Sequence, residues 1–85
     1  TGISMEIPKG FVGLVFARSG LGINHGIVPS NCVGVIDSDY RGEIVVALYN
    51  HSNEVYSVKE NERVAQIVIV PFLSVEFNVI FVLVN

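Results

Sequence analysis

Short runs of Val, Ile and other apolar residues recur along this chain, and Gly, Pro and small polar residues separate them at short intervals. β-Branched residues favour strands, while Gly and Pro favour the turns between strands. Helical periodicity is almost absent. We therefore predict an all-β fold of roughly seven short strands, an antiparallel jelly-roll-like barrel or sandwich with at most one short helical turn.

The apolar runs set the expected boundaries of these strands. Residues 11–16 form an unbroken apolar run, which suits a buried strand. Residues 18–26 are rich in Gly and small polar residues, and they predict a loop with one helical turn in which Ser19 is the N-cap. Further strands are expected at residues 5–7, 33–36, 43–49, 55–58, 63–70 and 74–84.

The balance of apolar and charged residues predicts an oligomer. The 85 residues allow one small domain, spanning 1–85, whose core is marginal alone. Hydrophobic residues make up 51% of the chain and charged residues only 15%, so part of the apolar surface should face another chain. The formal net charge of −3 argues against general affinity for duplex nucleic acid.

The single cysteine and the short apolar runs indicate which cellular compartment to expect. Cys32 has no partner for an internal disulfide, which fits a reducing compartment. No signal peptide is visible, and the longest apolar run, residues 79–84, is far shorter than the ~20 residues of a membrane helix. We expect a protein of the cytoplasm or another reducing compartment, including the nucleus or an organelle, without a membrane span.

Two polar segments could do chemistry. If a strand continues through Asp37 and Asp39, their side chains share one face, where one carboxylate could hold a proton or steer a water. Taken alone, however, this pair is better interpreted as an acidic turn. Arg18, Ser19 and Gly20 combine a forked donor, a hydroxyl and accessible backbone amides, which suit an anion. A capped turn with a solvated Arg explains that segment equally well.

The remaining candidates favour ordinary structural roles. Tyr40 could cover a sugar or base, although such a Tyr more often packs on its own hairpin. His25 and His51 have no partner at metal-ligand spacing, so no direct protein metal site is predicted. Glu60, Glu62 and Arg63 are interpreted as a solvated turn.

Three segments, in this order, resemble motifs of the trimeric dUTP pyrophosphatase (dUTPase) family. ARSGLGINHGI at residues 17–27 is similar to the phosphate-binding motif, NCVGVIDSDYRGEI at 31–44 to the uracil-pocket hairpin, and NERVAQIVIVP at 61–71 to the fourth motif. TGISMEI at 1–7 and EFNVI at 76–80 resemble the strands beside them, so the similarity extends to about Ile80. It implies the dUTPase type of fold, a homotrimer, and hydrolysis of dUTP to dUMP and pyrophosphate.

The resemblance assigns roles in the nucleoside half of the site. Asp37 would orient and deprotonate the water that attacks the α-phosphorus. Tyr40 would pack on the deoxyribose and exclude a ribose 2′-hydroxyl. Asn31 would read the uracil edge together with backbone groups of the hairpin, at Gly34, Val35, Ile36 and Asp37. Cytosine would leave those groups mispaired, which discriminates better than shape alone.

The resemblance also assigns the phosphate half. Arg18, Ser19 and Gly20 would hold phosphate oxygens across a subunit boundary, and Gln66 would lie near them. A Mg²⁺ ion, held mainly by the substrate triphosphate and not directly by the protein, would neutralise charge on the pyrophosphate leaving group.

Two departures from the family pattern suggest an incomplete chain. The family's AGxDL motif should precede residue 1, and its C-terminal Gly-rich arm should follow the last strand, where residues 81–85 are apolar instead. Residues 79–84 could add a strand, but they are also aggregation-prone. The alternative to an enzyme is therefore a catalytically incomplete module of this fold that binds nucleotide or a protein partner. Deamination of dCTP is disfavoured, because the segment after Ser19 does not resemble that family.

Overall fold

Residues 1–80, the part of the chain that a computed structural model describes, form antiparallel strands and one short helix. Residues 81–85, including the end of the strand predicted over 74–84, lie outside this part. The elements confirm the predicted all-β class. They are β1 (Phe11–Ala17), α1 (Ser19–His25), β2 (Ile27–Pro29), β3 (Gly34–Ile36), β4 (Leu48–Asn50) and β5 (Ala65–Pro71).

Strand β1 is the centre of the larger sheet, whose strand order is β3-β1-β5. Its unbroken apolar sequence is suited to a strand with neighbours on both edges. β5 pairs with the whole of β1, from Phe11 opposite Pro71 to Ala17 opposite Ala65. β3 pairs with its middle, where Val15 lies opposite Gly34. The second sheet contains β2 and β4.

The core is small and is assembled from both sheets and the segments between them. β1 contacts β2, and α1 packs against β2. The buried apolar side chains are Ile7, Val12, Val15, Leu21, Ile27 and Ile44. Within residues 1–80 no buried polar or charged side chain accompanies them, so the hydrophobic effect is the main force that joins the two sheets.

Helix α1 is longer than the single turn predicted, and its cap is one residue earlier. Arg18 is the N-cap, with extended backbone angles (φ −93°, ψ 134°) and no side-chain cap hydrogen bond, so the prediction of Ser19 as the N-cap is wrong. The helix ends at Gly26 in the left-handed region (φ 70°), and the Gly26 N–H donates to the Leu21 carbonyl. A Cβ at residue 26 would lie 3.1 Å from the Ser52 nitrogen, so glycine allows both the turn and this close approach.

The strand predicted over residues 43–49 forms only at its end. Residues 43–47 are extended but bond to two different segments: the Ile44 N–H donates to the Ile3 carbonyl (2.8 Å), and the Ser30 N–H donates to the Ala47 carbonyl (2.8 Å). A continuous ladder requires one neighbouring strand along its length. Only Leu48–Asn50 have such a neighbour, because β2 is three residues long.

The strands predicted at residues 5–7, 55–58 and 74–80 do not form. Their composition favours strands, but composition supplies no partner for the backbone. In the described residues the ladder beyond β5 ends where the Phe72 N–H donates to the Gly10 carbonyl (3.0 Å). Val55 is 96% exposed and Phe77 is 90% exposed. Neither segment therefore buries its apolar side chains within this chain.

The molecule is extended for its length. Its radius of gyration is 17.8 Å, whereas a compact domain of 85 residues has a radius of about 12 Å. Exposed apolar side chains continue beyond β5, at Leu73, Val75, Phe77, Val79 and Ile80. No helix in residues 1–80 is long and apolar enough to cross a membrane.

Candidate active site

A cavity of about 270 Å³ lies between β3 and the extended segment 43–47. Pro29 and Asn31 line it before β3, and Asp37 and Tyr40 line it after β3. β3 is an edge strand, paired with β1 on one side only. Its second edge therefore has backbone amides and carbonyls that can recognise a flat polar ligand. The cavity brings together all the residues predicted to contact uracil and deoxyribose, and we name it the nucleoside cavity.

The turn after β3 presents Asp37 to solvent. β3 ends at Ile36, and the Tyr40 N–H donates to the Asp37 carbonyl (3.2 Å). The guanidinium of Arg41 closes the same turn by donating to the Ser38 carbonyl. The strand does not continue through the turn, so Asp37 and Asp39 share no strand face, and the interpretation of this pair as an acidic turn agrees with the structure. Asp37 lines the cavity, whereas Asp39 does not.

The Tyr40 side chain is held at the wall of this cavity. Its hydroxyl donates to the Glu43 carbonyl oxygen (2.6 Å), and the ring is 45% exposed. Glu43 itself accepts from the Gly2 N–H (2.7 Å), which lowers the pKa of its carboxyl. The ring therefore has a defined position at the cavity and still has a free surface for a ligand.

A second cavity, of about 500 Å³, contains the residues predicted to bind phosphate. Arg18, Ser19, Gly20 and Gln66 all line it. The pairing of β1 with β5 places Gln66 beside Arg18. Gln66 lies opposite Phe16 in this pairing, and its Nε2 donates to the Ala17 carbonyl (2.7 Å). In residues 1–80 no carboxylate lies within ion-pair distance of Arg18. The Arg18 guanidinium is therefore free for an anion.

Five further residues line this second cavity, which we name the phosphate cavity, and the sequence did not single them out for function: Leu21, His25, Tyr56, Glu62 and Arg63. The Tyr56 hydroxyl donates to Glu62 Oε2, which raises the pKa of Tyr56 and lowers that of Glu62. The Tyr56 ring also lies against His25, with ring centroids 4.6 Å apart. Glu62 ends the predicted turn, since its N–H donates to the Lys59 carbonyl (3.1 Å), and its side chain is half-buried. No local spacing relates these residues, so only the folded chain brings them together.

The two cavities have no lining residue in common. The residues predicted to contact uracil and deoxyribose (the nucleoside set) lie beside β3. The residues predicted to bind phosphate (the phosphate set) lie where β1 meets α1 and β5. The structure thus places each half of the predicted site in a cavity of its own. It does not bring the two halves of one chain into a single cavity.

Comparisons with known proteins agree with this architecture. The family model described as dUTPase matches residues 1–82. A deoxyuridine 5'-triphosphate nucleotidohydrolase of Baumannia cicadellinicola is 48% identical over 81 residues, covering 94% of this chain and 53% of the relative. One from Wolbachia pipientis is 51% identical over 78 residues, covering 92% of this chain and 51% of the relative. The chain spans about half the length of these curated relatives.

A solved structure shows the same fold. The dUTPase of Staphylococcus bacteriophage 80alpha superposes with a TM-score of 0.69 at 26% identity, covering 91% of this chain and 66% of that protein. The matched family model includes β1, the turn after β3 and β5 together. This chain belongs to the dUTPase family.

Proposed function

We propose that this protein hydrolyses dUTP to dUMP and pyrophosphate. The observation that supports it most is the cavity beside β3, where an unpaired strand edge, Asn31, Asp37 and Tyr40 converge. Fixed backbone groups of Gly34, Val35 and Ile36 would pair with the uracil edge, and Asn31 would complete the contact. Such a site rejects cytosine because buried polar groups would be left unpaired.

Asp37 is the proposed general base. It lies just after an edge strand, on the wall of the nucleoside cavity, where a water would stand between the carboxylate and a bound nucleotide. A carboxylate held there can orient that water and accept its proton during attack on the α-phosphorus. Tyr40 would cover the deoxyribose and exclude a 2′-hydroxyl.

Arg18, Ser19, Gly20 and Gln66 are the proposed phosphate ligands. The side chains around them suit a Mg²⁺ ion that the triphosphate carries and not one in a protein cage, because the carboxylate in this cavity, Glu62, is bonded to Tyr56. When bound, the ion would neutralise charge on the departing pyrophosphate. Gln66 Nε2 donates to the Ala17 carbonyl, which fixes the side-chain amide at the wall of this cavity.

We expect the active species to be a homotrimer. A nucleotide must contact both sets of residues, yet they line separate cavities of one chain. Subunits that meet across the exposed apolar surface would place the phosphate set of one beside the nucleoside set of another. Sedimentation equilibrium should give three times the mass of one chain. A stable monomer at micromolar concentration would contradict the assembly.

Pyrophosphate release provides the direct test of the activity. The chain should be assayed alone and extended by the family's first and last motifs, with dUTP, dCTP and UTP as parallel substrates. We expect the extended protein to release pyrophosphate from dUTP, with dCTP and UTP much poorer. If the extended protein binds dUTP without releasing pyrophosphate, the result would instead favour a nucleotide-binding module. If it shows no dUTP binding and no pyrophosphate release, the proposal is refuted.

A further inference from the structure

Gly42 lies directly against the ring of Tyr40. A Cβ placed on Gly42 would be 2.6 Å from Tyr40 Oη, 2.8 Å from Cζ and 3.1 Å from Cε1. Non-bonded carbon atoms pack at about 3.5–4.0 Å, so no other residue can stand here while the ring keeps its position. The backbone of Gly42 is outside the left-handed region. The ring, and not the backbone conformation, therefore requires glycine.

The ring cannot simply rotate away without loss. Its hydroxyl donates to the Glu43 carbonyl (2.6 Å), the residue directly after Gly42. The backbone on the other side of the ring is held by the hydrogen bond from the Tyr40 N–H to the Asp37 carbonyl (3.2 Å). A methyl group at residue 42 would displace the ring from Glu43, toward solvent or into the nucleoside cavity that it lines.

We propose that Gly42 is a positioning residue for sugar specificity. Its missing side chain leaves room for the tip of the Tyr40 ring at the place where the hydroxyl donates to the Glu43 carbonyl and the ring lines the nucleoside cavity. The inference rests on the proposed function, in which Tyr40 excludes a ribose. It adds that the discrimination between dUTP and UTP depends on a residue that itself touches no substrate.

A double-mutant cycle of Gly42→Ala and Tyr40→Ala tests this dependence in the motif-extended protein. In the wild-type background, Gly42→Ala should lower the ratio of kcat/KM for dUTP over UTP by roughly tenfold or more. In the Tyr40→Ala background it should change that ratio no further, because the ring on which it acts is gone. Gly22→Ala is the matched control: its Cβ would meet Val28 at an ordinary 3.6 Å, so the ratio should stay at the wild-type value.

Two measurements separate the contact from the activity. The Gly42 Hα resonances should carry a ring-current shift from Tyr40 and should lose that shift in Tyr40→Ala. Denaturant unfolding should show that Gly42→Ala destabilises the wild type but not Tyr40→Ala. These hold even if dUTP is not hydrolysed, which would count against the proposed function alone.

The remaining outcomes are also decisive. If Gly42→Ala fails to fold but regains its fold together with Tyr40→Ala, the contact is supported. The alternative is that Gly42→Ala has the same effect in the wild-type and Tyr40→Ala backgrounds, either by preventing folding or by equal changes in stability and in the kcat/KM ratio of dUTP over UTP. In that case Gly42 acts independently of Tyr40, and the inference is overturned.

Discussion

Replacing Asp37 by Asn is expected to reduce turnover of dUTP by about 10³-fold, while dUTP binding changes by less than about threefold. Asn has the size of Asp but cannot accept a proton from the attacking water. Asp37 lies at the end of β3 on the wall of the nucleoside cavity, so the loss should fall on the chemical step. Pyrophosphate release at saturating dUTP measures turnover, and titration with a non-hydrolysable analogue measures binding.

Asp39→Asn is the matched control for this substitution. It removes the same charge two residues away, in the same turn, but Asp39 does not line the cavity. Its turnover should remain within about twofold of the wild type, since surface changes of this kind are usually small. Equal losses in the two variants would indicate an effect of charge on the turn, and unchanged turnover in Asp37→Asn would remove Asp37 from the reaction.

Replacing Arg18 by Gln is expected to weaken dUTP binding about thirtyfold. A charge-assisted, forked contact to phosphate is worth about 2 kcal/mol, and Gln supplies neither the charge nor the fork. Arg18 lines the phosphate cavity, and within residues 1–80 no carboxylate competes for it. The KM for dUTP should therefore rise more than kcat falls.

Lys9→Gln controls for the change in net charge. Lys9 lies in the turn before β1 and lines neither the nucleoside nor the phosphate cavity. The KM of this variant should stay within about twofold of the wild type at physiological salt, where distant surface charges are screened. A similar rise in KM for both variants would point to long-range attraction of the substrate, and no rise in Arg18→Gln would exclude Arg18 from phosphate binding.

Local residue patterns predicted part of the fold well. The apolar run of residues 11–16 became β1, and the predicted strands at 33–36 and 63–70 correspond to β3 and β5. β5 begins at Ala65 because its partner β1 ends opposite it, at Ala17. Residues 43–47 and 55–58 have the same strand-forming composition, but they lack a continuous partner. Composition measures the tendency to be extended, whereas a strand also needs a neighbour.

In the candidate site, too, local sequence predicted some contacts and missed those between distant segments. Asp37, Tyr40 and Asn31 are close in sequence, and they meet in one cavity as their motif predicted. Tyr56 and Glu62 form a hydrogen bond beside His25, whereas the sequence predicts a strand at residues 55–58 and a solvated turn at Glu62. That contact depends on how α1 packs against the segment before β5, which no local spacing reveals.

The sequence by itself determined the strand-rich class, the central apolar strand and the order of three motifs that identify the dUTPase family. Only the tertiary structure decided which extended segments pair, that Gln66 lies beside Arg18, and that the Tyr40 ring rests on Gly42. The physical reason is the distance along the chain over which each interaction acts. Chain stiffness and turn chemistry act over a few residues, whereas hydrogen-bond partners and close contacts are chosen by packing between segments far apart in the chain.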